Sequence, residues 1–302
     1  MASRSPAGAR QFLDPAVVAR IGSLELKARV IVEGFLQGLH RSPFRGYSVE
    51  FAEYRPYLPG DDLASVDWKV YARSDRYYVK TYEHETNLPC HLLLDVSRSM
   101  AYGSRGVTKL QYGSYLSAAL AVLLQRQRDA IGLLAFDADI VAQLPASARP
   151  GHLRALLAAL EHLEPGGPSD FSKPLERLAQ ALNRRGLVIV MSDLFDEPER
   201  VVRGLRYIRS RGTEVIVFHL LDPAELTFAF DRPARFRDLE SGREVLVSPR
   251  EARAAYLERI QGLVSRYRHE LRGANIDYCL VDTSRPLDAV LLEYIAARSR
   301  RV

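Results

Sequence analysis

The sequence predicts an α/β protein: a doubly wound, mostly parallel sheet with one antiparallel edge strand, preceded by a small N-terminal helix and strand unit. Three observations carry this. After Leu88, apolar runs of strand length alternate regularly with amphipathic helical stretches. Ile131 to Phe136 and Ile140 to Leu144 are joined only by Asp137-Ala138-Asp139, a short linker that reads as a hairpin and places one antiparallel strand at an edge. With 302 residues, 47% of them apolar, the chain is long enough to bury a full core and a second small unit.

The first element is a helix over Asp14 to Leu39. Asp14 suits its cap, Pro15 its first turn, and Val18, Ile21, Leu24 and Leu26 give a partial apolar face, expected to pack outside the main core. From Gly46 to Glu85 the pattern turns to extended segments rich in Tyr and Val, broken by Pro56 and Pro59-Gly60. Residues 1–88 are therefore read as an N-terminal region and 89–302 as the main domain. There the strand His91 to Asp95 leads into a helix over Thr108 to Gln127, with Tyr112, Leu116, Ala119, Leu120 and Leu123 on one face. After the hairpin come helices Gly151 to Leu163 and Ser172 to Asn183, and the strand Leu187 to Met191, which ends in Ser192-Asp193. A helix Pro198 to Ser210, strand Glu214 to Leu220, helix Pro249 to Leu271, strand Ile276 to Val281 and helix Pro286 to Arg298 complete the series. Between Phe228 and Val247 an inserted hairpin is expected, turning at Ser241-Gly242.

Composition narrows the function. Subtracting 37 acidic from 42 basic side chains gives a net charge of +5, but the arginines are spread along the chain rather than clustered with aromatics, so nucleic acid is not the expected partner. No apolar stretch approaches the roughly 20 residues that a membrane helix needs. Met1 to Arg10 lacks the apolar core of a secretory signal. The two cysteines, Cys90 and Cys279, imply no disulfide framework. Cytoplasmic residence is the resulting expectation. His84 and His219 show no metal-ligand spacing.

The residues that carry chemistry stand at strand ends. Asp95, Ser97 and Ser99 follow one strand, Asp193 another, and the loop Gly166-Gly167-Pro168-Ser169-Asp170 precedes a helix and can reach the same crevice. In an open parallel sheet, ligands collect outside the carboxyl ends of strands, near the point where strand order reverses. Taken singly, each residue suits a turn or helix cap, as Asp170 does. Taken together, Asp95, Ser97, Ser99, Ser169 and Asp193 form an oxygen-only donor set. Mg2+, Mn2+ or Ca2+ favours such a set, whereas zinc recruits histidine or thiolate.

This pattern resembles the metal-ion-dependent adhesion site (MIDAS) of von Willebrand factor A domains, with Ser169 where the third loop usually presents threonine. The resemblance implies a cation that bridges to an acidic side chain of a protein partner. A second resemblance is carried by Ser48-Val49-Glu50-Phe51-Ala52-Glu53-Tyr54-Arg55, Tyr57, Pro59-Gly60-Asp61-Asp62 and Val66-Asp67-Trp68-Lys69-Val70-Tyr71-Ala72-Arg73. These residues are similar to the signature of the domain of unknown function 58 family, although Ala64-Ser65 stand where relatives often carry arginine. Asp61, Asp62, Asp67, Trp68 and Arg73 read as a structural cluster of turn caps, an ion pair and a packed indole. That family joins the signature to an A-type domain, and its resemblance implies action with a MoxR-type AAA+ ATPase in chaperone-like maturation of other proteins. The chain itself has no Gly-Lys-Ser/Thr phosphate loop. The expected function is therefore a non-enzymatic, metal-dependent interaction module. The alternatives are a magnesium-dependent phosphohydrolase, for which the first loop offers Arg98 and two serines rather than further carboxylates, and a metal-free scaffold.

Overall fold

The computed structural model describes residues 14–41, 53–56, 78–81, 89–182, 185–239 and 242–299. The first segment is two helices, α1 (Pro15–Ala19) and α2 (Leu24–Arg41), rather than one. Asp14 accepts from the Ala16 N–H and Pro15 opens α1, as expected. The break falls at Gly22-Ser23, a poor continuation for a helix. Ser23 then accepts from the Leu26 N–H, while Glu161 accepts from the Leu24 N–H (2.7 Å). Restarting there resets the apolar stripe to Leu24, Ala28, Ile31, Val32 and Phe35, all buried in the main core, and leaves Leu26 exposed. The expectation that this segment packs outside the core is thus corrected.

The chain divides into two compact units, Met1–Ser42 with Leu88–Val302, and Pro43–Asn87. The boundary differs from the sequence reading, because the N-terminal helices belong to the unit that holds the large sheet. In the Pro43–Asn87 unit, β1 (Glu53–Pro56) pairs antiparallel with β2 (Tyr78–Thr81). Asp61, Asp62, Asp67, Trp68, Arg73 and His84 lie outside the described residues.

The large unit continues with β3 (Cys90–Asp95), α3 (Lys109–Arg126), β4 (Ile131–Phe136), β5 (Ile140–Ser147), α4 (His152–Glu161), α5 (Ser172–Ala181), β6 (Leu187–Ser192) and α6 (Pro198–Ser210). It ends with β7 (Glu214–Leu221), the short α7 (Pro223–Thr227), the hairpin β8 (Ala234–Arg237) and β9 (Glu244–Val247), α8 (Pro249–Gly273), β10 (Asp277–Asp282) and α9 (Leu287–Ser299). Six strands form one sheet in the order β10-β7-β6-β3-β4-β5. Every neighbouring pair is parallel except β4 with β5, the hairpin expected at Asp137-Ala138-Asp139. The fold is the doubly wound, mostly parallel sheet with an antiparallel edge that the sequence predicts.

Period-2 alternation sorts each central strand between two helical layers. Leu92, Leu94, Ile189, Met191, Ile216 and Phe218 join a core with α2, α3 and α9. Leu93, Val188, Val190, Val215 and Val217 join a second core with α5, α6 and α8, where Phe136 meets Phe171 edge-on (4.9 Å between centroids). Both faces are covered, which is why these strands read as continuous apolar runs. At about 1.5–3 kcal/mol for each fully buried large aliphatic side chain, the two layers hold the sheet rigid beneath its loops.

Candidate functional site

The order of strands reverses between β3 and β6: β4 and β5 follow β3 in one direction, β7 and β10 follow β6 in the other. Asp95 ends β3 and Asp193 follows β6, so the two carboxylates stand at the carboxyl ends of adjacent strands, on the switch-point crevice. Both are wholly buried, as are Ser97 and Ser192, and Ser99 nearly so. Asp95 Oδ1 accepts from the Ser97 N–H (2.8 Å) and Oδ2 from the Ser192 hydroxyl (2.6 Å). The Ser97 and Ser99 hydroxyl oxygens lie 3.0 Å apart, at the start of a single 3-10 turn, Arg98–Ala101.

The third loop docks on the first. The Gly166 N–H donates to the Val96 carbonyl (2.7 Å), and Arg98 donates from its backbone N–H to Gly167 O (3.0 Å) and from Nε to Gly166 O (2.9 Å). Asp137, from the β4–β5 hairpin, accepts from the Gly167 N–H, and its carboxylate fills the space that a Cβ on Gly166 would need. The glycines are therefore what lets this loop, which carries Ser169, close against the hairpin. Asp170 accepts from the Ser172 N–H (2.8 Å), the helix-start role expected of it.

The end of β6 is held in a costly conformation. Leu194 has a left-handed backbone (φ 54°), which costs a non-glycine residue about 1–3 kcal/mol. Ser192 Oγ accepts from the Leu194 N–H (2.8 Å), the Tyr267 hydroxyl donates to the Leu194 carbonyl (3.1 Å), and His219 Nε2 binds the Asp193 carbonyl (2.7 Å). A carbonyl only accepts, so Nε2 carries the proton and Nδ1 accepts from the Tyr278 hydroxyl (2.7 Å). His219 is thus a packed, neutral histidine. Burial pushes its pKa down to about 4 despite the pull of Asp193.

That displacement has a sign. Between pH 4 and 6.5 the unfolded chain binds a proton at this position that the folded chain refuses, so His219 adds stability as pH rises through the window. We expect His219→Phe to remove roughly 3 kcal/mol of pH-dependent stability between those limits. Urea unfolding of variant and wild type at each pH measures it, and parallel curves would refute it.

Sequence reasoning missed the group that dominates the β6 side. Lys109, wholly buried at the start of α3, donates from Nζ to Asp193 Oδ2 (2.7 Å) and to Glu225 Oε1 (2.6 Å), and sits over the Phe195 ring. Burial opposes its charge, but Asp193 and Glu225 outweigh that, and its pKa is raised. Glu225 lies in α7 and also accepts from the Asp222 N–H (2.8 Å). Asp222 in turn takes the Ser104 hydroxyl and N–H. The readable signal was position: Lys109 precedes Tyr112 and Leu116 at helical spacing, on the stripe that faces the core.

Asp193 has an ammonium partner. Asp95 has hydrogen bonds from Ser192 and Ser97 and faces the Asp193 charge. Burial and then Asp193 raise its carboxyl to about 7, against the lowering effect of the serine hydrogen bonds. A buried carboxylate beside two hydroxyls, with no cation of its own, fits a small hard divalent ion. Among the described residues no three His, Cys, Asp or Glu side chains gather around a common point, so hydroxyls must supply part of any donor set.

A model of the family described as "Protein of unknown function DUF58" matches residues 53–263, more than half of the chain. The chain belongs to the DUF58 family. An uncharacterized protein of Mycobacterium tuberculosis (strain ATCC 25618 / H37Rv) is 29% identical over 296 residues, covering 95% of this DUF58 chain and 91% of the relative. Among solved structures, the conserved hypothetical protein BatB from Bacteroides thetaiotaomicron is 16% identical, with 70% of this chain and 99% of that chain covered and a TM-score of 0.48. The VWA domain of SpRpn10 is 12% identical, with 68% and 93% covered and a TM-score of 0.40. No helix among the described residues of the DUF58 chain is long and apolar enough to cross a membrane.

Proposed function

We propose that this DUF58 protein is a non-enzymatic, metal-dependent protein-interaction module. Asp95, Ser97, Ser99, Ser169 and Asp193 would hold Mg2+, or Mn2+ or Ca2+, at the carboxyl edge of the sheet. When bound, the ion supplies an open position for a carboxylate of the partner. The observation that carries this reading is the buried Asp95 carboxylate, which sits beside paired hydroxyls and raises the energy of the folded state unless a cation offsets it. The protein's own residues orient the site. Ser192 and the Ser97 N–H fix the Asp95 carboxylate, Asp137 fixes the Ser169 loop, and Lys109 fixes Asp193.

The partner we propose is a MoxR-type AAA+ ATPase in the cytoplasm, with the pair acting in maturation or assembly of other proteins. The chain's own side chains favour binding over catalysis: His219, the imidazole bonded to the Asp193 carbonyl, spends both ring nitrogens on buried hydrogen bonds and has no free base to offer. Affinity capture of the ATPase on immobilised wild type and Asp95→Asn, with Mg2+ or with chelator, tests the proposal. Capture should require both Asp95 and the ion. Equal capture in chelator would refute the bridging contact, and Mg2+-dependent phosphoester turnover lost in Asp95→Asn would replace it with an enzyme.

A further inference from the structure

We propose that Lys109 sets the affinity of the cation site: it occupies Asp193 as a tethered internal cation, and a divalent ion must shift it onto Glu225 before Asp193 can serve that ion. The inference rests on the reading of the crevice as a divalent-cation site. Lys109 Nζ is within 2.7 Å of Asp193 and 2.6 Å of Glu225, and neither the Lys109 nor the Asp193 side chain is exposed, so water does not share the contact. The second Asp193 oxygen accepts from the Phe195 N–H (3.3 Å), so both oxygens of that carboxylate are engaged. Asp95, by contrast, receives only neutral donors. The two carboxylates are therefore unequal towards an incoming ion: Asp95 gains a counter-charge, whereas Asp193 must give one up.

The geometry also shows where the displaced ammonium goes. Glu225 is held independently of Lys109, through its second oxygen on the Asp222 N–H, its half of the capping box of α7, and its side chain is slightly open to solvent. Lys109 already touches Glu225, so it can release Asp193 without losing its other carboxylate. An ammonium ion a few ångströms from the incoming metal still opposes it, because unit charges at about 4 Å interact strongly wherever water is excluded. Removing that ammonium should tighten the site.

The test is calorimetric titration of the full chain with MnCl2 at pH 8, comparing wild type, Lys109→Met and Lys109→Met/Glu225→Gln. The double variant loses one positive and one negative group and keeps the wild-type net charge, so any gain there comes from freeing Asp193. Both variants are expected to bind Mn2+ at least tenfold more tightly than wild type. If wild type binds and neither variant binds more tightly, the role of Lys109 is overturned while the cation site stands. If only the variants bind, Lys109 governs the site and the metal-dependent contact proposed for wild type fails. If none binds, both fall. Should a variant fail to fold without metal, the Mn2+ concentration that restores its near-ultraviolet circular dichroism replaces the titration, and a midpoint at or above the wild-type dissociation constant overturns the inference.

Discussion

In chelator above pH 7, Asp95→Asn is expected to be more stable than wild type by on the order of 2 kcal/mol, although it removes a residue from the centre of the site. Burial and the neighbouring Asp193 raise the Asp95 carboxyl from 3.8 to about 7 in the folded chain. The folded state therefore binds a proton here that the unfolded state has released. Stability falls as pH rises from about 4 through 7 and stays low above that. Asparagine carries no charge, so the variant escapes that loss. The shift corresponds to roughly 4 kcal/mol. From this is subtracted about 1 kcal/mol, since the amide has one acceptor oxygen where the carboxylate uses two, one for the Ser97 N–H and one for the Ser192 hydroxyl. Relaxation around a buried charge removes a comparable part. At pH 4, where the charge no longer counts, the variant should be less stable than wild type by about 1 kcal/mol, the cost of the lost acceptor. His219 acts in the opposite sense below pH 6.5, so the difference between variant and wild type, not either curve alone, isolates Asp95. Adding Mg2+ should raise the melting temperature of wild type at pH 8 and leave the variant unchanged. A variant that is less stable than wild type in chelator at pH 8 would show that Asp95 is not an uncompensated charge.

What the sequence disclosed follows from periodicity. The strand at Ile131–Phe136 and the helix at Pro198–Ser210 were bounded to the residue, because alternating burial and a proline at the helix start leave local marks. The candidate ligands were legible for a similar reason: Asp95, Ser97 and Ser99 follow an apolar run, and Asp193 another. The misses are long-range. Leu24, Ala28, Ile31, Val32 and Phe35 form a buried stripe, but only the break at Gly22-Ser23 sets its phase, and Glu161 supports that break from 137 residues away. The Lys109–Asp193–Glu225 network joins residues 84 and 116 positions apart, and no local pattern marks a lysine that will be buried between two carboxylates. Nothing in the spacing distinguishes the Asp95 carboxylate, which lacks a cation, from the Asp193 carboxylate, which has one.

That distinction makes the opposite prediction for the second carboxylate. Asp193→Ala should destabilise the domain by about 3–5 kcal/mol, with or without metal, because it strands a wholly buried ammonium on one partner. The Phe195 N–H loses its acceptor at the same time. The cause can be isolated with a double-mutant cycle. In an Asp193→Ala background, Lys109→Met should cost far less than it does in wild type, giving a coupling energy of at least 2 kcal/mol by urea unfolding. A coupling near zero would mean that Lys109 and Asp193 do not form the tight pair that the fold shows. Two carboxylates at adjacent strand ends, one stabilising the fold and one straining it, cannot be exchanged as probes of the site. Loss of partner capture in Asp193→Ala would mix unfolding with loss of a ligand. Loss in Asp95→Asn, whose fold should be firmer than wild type, would report the contact alone.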